Sequence, residues 1–135
     1  RSRNFIFGIN PSSVRSMIPA TYGRNMAAYQ AILASAKEKE IQVLVYIPPL
    51  RSDVQPPYKP EEYMAFKEAI EADSEEYSAS FVNLEDIVPG PLWGTKEATS
   101  LGGKPEYDFM HFQEAGHALL SKRIVAEILK AEDDL

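Results

Sequence analysis

The chain holds two histidines, and one of them, His111, stands three residues after Asp108, just ahead of a helical stretch. A carboxylate at that spacing can accept the imidazole Nδ1 proton, which fixes the tautomer, orients the ring and leaves Nε2 free to take a proton from a nucleophile. That is the base and orienter of a nucleophilic triad. The same residues have a plainer use, with Asp108 as a helix N-cap and His111 as a surface side chain. The second histidine, His117, follows Glu114 by three residues, a spacing that di-iron bundles use for ligation. Such a centre needs a matching pair from another helix, and the sequence offers none. His111 and His117 are six apart, which puts them on different helix faces. Cysteine is absent, which removes thiol catalysis, thiolate metal sites and disulfides. The expectation is no metal and no cofactor.

These side chains need elements to carry them. Residues 5–9 form a short apolar run closed by the turn formers Asn10, Pro11, Ser12 and Ser13. Over residues 25–39 the period changes: Met26, Tyr29, Ile32, Leu33 and Ala36 recur at steps of three and four, which predicts an amphipathic helix. Residues 41–47 are a β-branched run stopped by Pro48 and Pro49, and near-continuous apolarity of this kind suits a strand covered on both faces. Pro60, Glu61 and Glu62 open a second helix with the chemistry favoured in a first turn, and Tyr63, Phe66, Ala69 and Ile70 give its buried stripe. A short third strand is expected over residues 79–84, then a long irregular segment over 86–106 punctuated by glycine and proline. A last helix over residues 113–131 carries Leu120, Ile124 and Ile128. The order βαβαβ, loop, α predicts one α/β domain over residues 1–135, with about three parallel strands and helices on both faces. In such sheets ligands gather at the carboxyl ends of strands, which selects three loops: 8–13, 48–53 and the segment ending at His111.

Composition narrows the function further. In 135 residues, 44% hydrophobic and 25% charged content excludes a disordered chain, and 20 acidic against 14 basic residues give a net charge of −6. The basic residues do not cluster, so a phosphate backbone is repelled and nucleic acid is not expected as a partner. No apolar run is long enough to span a bilayer, so no membrane insertion by this chain is expected. Arg1 to Asn4 lead straight into the first apolar run, which reads as a strand and not as a signal peptide.

Taken together and in order, the short motifs resemble a known family. Gly8-Ile9-Asn10 after a strand looks like the Gly-x-Asn block of the SGNH (GDSL-type) hydrolases, and Asp108-Phe109-Met110-His111, with Gly116-His117 following, looks like their Asp-x-x-His block. A buried strand ending in Pro48-Pro49 is similar to the family's strand at the active-site rim. The resemblance runs over the whole chain but covers only the second half of the family's fold, a three-layer α/β/α, flavodoxin-like parallel sheet. It implies an esterase or acyltransferase acting on an O-acyl ester, with His111 as general base, Asp108 as its orienter and Asn10 donating its side-chain NH₂ to the oxyanion. Pro11 stands where the family commonly has aspartate, so the first block departs from the pattern. The Gly-Asp-Ser turn that carries the family's serine is missing; Ser12 and Ser13 lack the preceding glycine and aspartate. Arg1, not methionine, opens the sequence, and the expectation is a nucleophile upstream of this chain, which alone would then be inactive.

The loop 48–53 and the Asp-Phe-Met-His ending are also similar to cell-envelope acyl-transfer proteins of the D-alanyl-lipoteichoic-acid and polysaccharide O-acetyltransferase types. That implies an acylated carbohydrate substrate and an extracytoplasmic setting. The rival reading is a non-catalytic carbohydrate- or partner-binding module of flavodoxin-like fold, with Tyr58, Trp93, Tyr107 and Phe109 stacking on sugars or, equally, closing the end of the sheet. A three-stranded fragment would leave a sheet edge open, so a homodimer or reduced stability is expected, with Phe5, Phe7 and Tyr46 near the contact.

Overall fold

The computed structural model describes residues 14–98 and 102–133. The first helix, α1, spans Pro19–Glu38 and starts six residues earlier than its apolar period indicates. Pro19 at N1 supplies the start: its fixed φ suits a first turn and its missing N–H would have had no intrahelical partner there. Leu33 is the buried residue of α1, whereas Ile32 is 66% exposed, so the apolar stripe is narrower than the spacing suggests.

Strand β1 (Leu44–Ile47) follows, then helix α2 (Pro60–Glu76) and strand β2 (Ser80–Asn83). β1 and β2 pair in parallel, Leu44 opposite Ser80 through Ile47 opposite Asn83, with α2 as the intervening helix. This is the α/β arrangement that the alternation of periods implies. α1 and α2 meet along a polar seam. The Tyr29 hydroxyl lies 2.7 Å from Ser74 Oγ, and the fully buried Ser74 donates to the Ile70 carbonyl at 2.6 Å, so its burial leaves no polar atom unpaired. Gln30 Nε2 donates to both carboxylate oxygens of Asp73, at 3.1 and 3.0 Å.

The segment expected to be irregular contains a β-hairpin. After a 3₁₀ turn at Gly90–Leu92, strand β3 (Trp93–Lys96) pairs antiparallel with β4 (Glu106–Phe112), and the closing helix α3 covers Glu114–Asp133. The described residues hold four strands in two two-stranded sheets, one parallel and one antiparallel; two of the expected parallel strands pair as expected, the one expected over residues 5–9 lies outside the described residues, and the hairpin is additional to them. β3 is four residues containing a glycine and a lysine, and the polar–apolar alternation of β4 slips phase at Phe109–Met110, where the register is irregular.

Leu33, Ile47, Ile70, Leu84, Val88 and Trp93 form the buried apolar core. Trp93 anchors the hairpin to it, with its indole N–H donating to the Val88 carbonyl at 3.1 Å and its ring edge-on to Phe112 at 5.2 Å. Gly116 makes this packing fit: a Cβ there would stand 2.9 Å from Phe112 Cδ2 and 3.0 Å from Val88 Cγ1. Among the residues expected near an edge contact, Tyr46 is 38% exposed, and Phe5 and Phe7 lie outside the described residues. Among the described residues no helix is long and apolar enough to cross a membrane.

Candidate active site

The Asp-x-x-His motif sits on an irregularity in the hairpin. Trp93 pairs with Phe112 and Thr95 with Tyr107, so two steps along β3 correspond to five along β4. The four residues of β4 between Tyr107 and Phe112, Asp108 to His111, thus have no register partner and bow out of the ladder. Bulges of this kind re-aim side chains and are frequent beside active sites.

Asp108 holds the bow in place. Its Oδ1 accepts the backbone N–H of Met110 at 2.8 Å and that of His111 at 3.0 Å, an aspartate satisfying the chain just ahead of it. Its other oxygen, Oδ2, lies 3.0 Å from His111 Nδ1. One carboxylate thus fixes both the main chain and the ring of His111. The Asp108 side chain is 12% exposed and that of His111 82%, so the imidazole stands in solvent on a buried anchor. Asp108 does not cap α3, which begins six residues later.

Burial pushes the Asp108 carboxyl up. The bonds from the Met110 N–H, the His111 ring and the His111 N–H, with the charge of a protonated imidazole, outweigh it and hold the group below its ordinary 3.8. A carboxyl lowered on folding contributes stability that is fully present above its unfolded value and lost as pH falls through the folded one. The Met110 and His111 amide signals are therefore expected to keep their hydrogen-bonded shifts down to about pH 4 and to lose them only below it. An NMR pH series in which both move together between pH 5 and 6 would contradict this.

Arg51 is the member of the site that sequence reasoning passes over. The loop 48–53 stands out as one of three at strand ends, but the arginine receives no role there. It is 5% exposed and spends its guanidinium on three segments. Nε and Nη2 donate to Asp53 Oδ1 and Oδ2 at 2.7 and 3.0 Å, and Nη1 donates to the Gly94 carbonyl at 2.7 Å and the Asp108 carbonyl at 3.4 Å. Its carbon centre stands 4.5 Å from the centroid of the Tyr107 ring. The loop after β1 is thereby tied to β3 and to the residue that orients His111. The Arg51 hydrogen bond is the main cause holding the Asp53 carboxyl below its usual range. Asp53 in turn requires Gly90, where a Cβ would fall 2.6 Å from Asp53 Cβ. The available signal is an Arg-x-Asp spacing at the carboxyl end of a strand, which matches bidentate pairing.

Of the three loops selected from the sequence, 48–53 and the segment ending at His111 are brought together through Arg51. Asn10, with Ser12 and Ser13, lies outside the described residues. Trp93 is 4% exposed and is not available to stack on a sugar; its place is the core. Tyr107 is half exposed with the Arg51 guanidinium over its ring, and His117 rests on Phe112 with ring centroids 4.4 Å apart. Among the described residues no three histidine, aspartate or glutamate side chains converge in a way that could hold a metal ion.

No family model, curated protein or solved structure matches the chain.

Proposed function

We infer that the chain carries the base half of a serine esterase or O-acyltransferase site of SGNH-like type, within a three-layer, flavodoxin-like α/β/α fold of which β1 and β2 are part. The observation that carries this reading is the 3.0 Å contact between Asp108 Oδ2 and Nδ1 of an imidazole that is otherwise open to solvent. A histidine held only for packing would not be 82% exposed, and a surface histidine with no task would not need its ring and its own N–H gripped by one buried carboxylate.

In this reading Nε2 of His111 takes the proton from a serine hydroxyl contributed from outside these residues as its oxygen bonds to the acyl carbon. The protonated imidazole, stabilised by Asp108, then gives that proton to the departing alcohol as the carbon–oxygen bond breaks. Water or an acceptor hydroxyl repeats the cycle in reverse to release the acyl group, giving hydrolysis or transfer. Asn10 is assigned to the oxyanion, and an acylated cell-envelope polymer is the substrate class that the motif resemblance favours.

The test is fluorophosphonate labelling. The 135-residue chain alone is expected to remain unlabelled and to hydrolyse p-nitrophenyl acetate no faster than background. A longer form of the protein that carries a serine ahead of Arg1 is expected to label at that serine, with a rate that falls by roughly 10⁶-fold in His111→Ala. Labelling at Ser12 or Ser13, or labelling undiminished in His111→Ala, would contradict the assignment.

A further inference from the structure

The bow in β4 has two feet, and different groups hold them. At one foot Phe112 pairs with Trp93 and packs on its ring, and the Gln113 N–H donates to the Leu92 carbonyl at 2.8 Å. At the other foot Tyr107, opposite Thr95, is the last residue of β4 in register. Gly94 on β3 has no register partner there, and neither has Asp108 on β4. The buried Arg51 stands at this second foot. Its Nη1 donates to the Gly94 and Asp108 carbonyls, one on each strand, and its carbon centre lies against the Tyr107 ring. A side chain from the loop after β1 thus bridges the two strands where their ladder is interrupted. We propose that Arg51 is a positioning residue for the base: it pins the foot of the bow at Tyr107, and so fixes the register in which the Asp108 carboxylate meets His111. The proposal rests on the reading of His111 as a base and adds the group that sets its geometry from outside the hairpin.

Register is what an irregular ladder leaves open. β4 takes five steps where β3 takes two, and the break can slide by a residue along β4 unless something holds its foot. Side chains alternate between the two faces of a strand, so a one-residue slip turns each of them over. With Asp108 in the place of Tyr107, opposite Thr95, its carboxylate would leave the buried side and lose the Met110 and His111 N–H groups that it accepts at 2.8 and 3.0 Å. Arg51 opposes that slip. One nitrogen holds the Gly94 carbonyl at 2.7 Å and the Asp108 carbonyl at 3.4 Å, and the Tyr107 ring rests 4.5 Å from the guanidinium carbon. The Asp108 bond is the long one, so the pin bears mainly on Gly94 and Tyr107. The guanidinium is itself aimed. Asp53 takes Nε and Nη2 at 2.7 and 3.0 Å, a bidentate fork that fixes the plane and leaves Nη1 for the strands.

The test reads the His111 tautomer, which a loss of stability alone does not move. In the 135-residue chain, ¹⁵N NMR is expected to show Arg51→Met shifting the neutral ring from Nδ1-protonated to mostly Nε2-protonated. The Met110 and His111 amide signals are expected to lose their hydrogen-bonded shifts together with it. The Trp93 indole N–H, bonded to the Val88 carbonyl, is expected to keep its signal and marks the folded population. Sucrose, which favours the compact state, keeps that population high. Leu33→Ala, a truncation in the buried core, also costs stability and is expected to leave the tautomer unchanged. Asp53→Ala keeps the arginine but removes its fork, and is expected to produce the same shift in part. The positioning role is overturned by a His111 that stays Nδ1-protonated in folded Arg51→Met, or in Asp53→Ala where Arg51→Met does not fold. A shift of equal size in Leu33→Ala would overturn it as well. The measurement needs neither serine nor turnover. The tautomer shift with failed phosphonate labelling would therefore sink the esterase reading alone, and labelling without the shift would sink the positioning role alone.

Discussion

Arg51→Met is expected to lower the unfolding free energy by about 2–4 kcal/mol, the largest loss for any single change at the site, read by urea denaturation. Methionine retains the length and apolar volume, so the loss reports the guanidinium. The Gly94 carbonyl loses a 2.7 Å charge-assisted bond, the Asp108 carbonyl a longer one, and Tyr107 the cation beneath its ring. The pairing with Asp53 adds less, because that side chain is 39% exposed and water screens it. Arg51→Lys is expected to recover less than half of the loss, since an ammonium cannot grip both Asp53 oxygens and still reach Gly94. A loss in Arg51→Met below about 1 kcal/mol would mean that the hairpin is held by Trp93 and Phe112 packing and not through Arg51.

Asp108→Asn is expected to leave the bowed segment folded and to slow phosphonate labelling of the serine-containing protein by roughly 10³–10⁴-fold. The amide oxygen can still accept the Met110 and His111 N–H groups, which Oδ1 holds at 2.8 and 3.0 Å. The amide nitrogen then takes the place of Oδ2 and points a donor at Nδ1. The imidazole answers by carrying its proton on Nε2, where a base must be bare. The main chain stays and the lone pair goes. Asp108→Ala removes both, so it is expected to lose stability as well as rate. A decrease of less than tenfold in Asp108→Asn would show that the ring is oriented by something other than this carboxylate.

Much of the fold was legible because its signals are local. Pro60 with Glu61 and Glu62 marks the start of α2 to the residue, and the β-branched run before Pro48 marks β1, although the paired strand is the shorter Leu44–Ile47. The parallel pairing of β1 and β2 followed from the helix between them. The hairpin was not legible. Its strands are joined by register and by a buried Trp93, and tertiary partners, not periodicity, decide that residues 93–96 and 106–112 are extended. The site divides in the same way. The Asp108 to His111 spacing is a local fact that a sequence displays. The grip of Arg51 on Gly94 and on Asp108 joins residues more than forty positions apart, and a lone arginine in a proline-rich loop gives no hint of it.

The central claim is that Asp108 holds His111 as a base with its Nε2 bare, and ¹⁵N NMR of the imidazole nitrogens tests it in the 135-residue chain without any substrate. There are only two histidines to assign, and His117→Gln identifies the signals. At a pH where the ring is neutral, the account predicts that His111 is protonated at Nδ1 and bare at Nε2, and that Asp108→Asn reverses the two. A His111 protonated at Nε2, as a free imidazole prefers, with no response to Asp108→Asn, would contradict it.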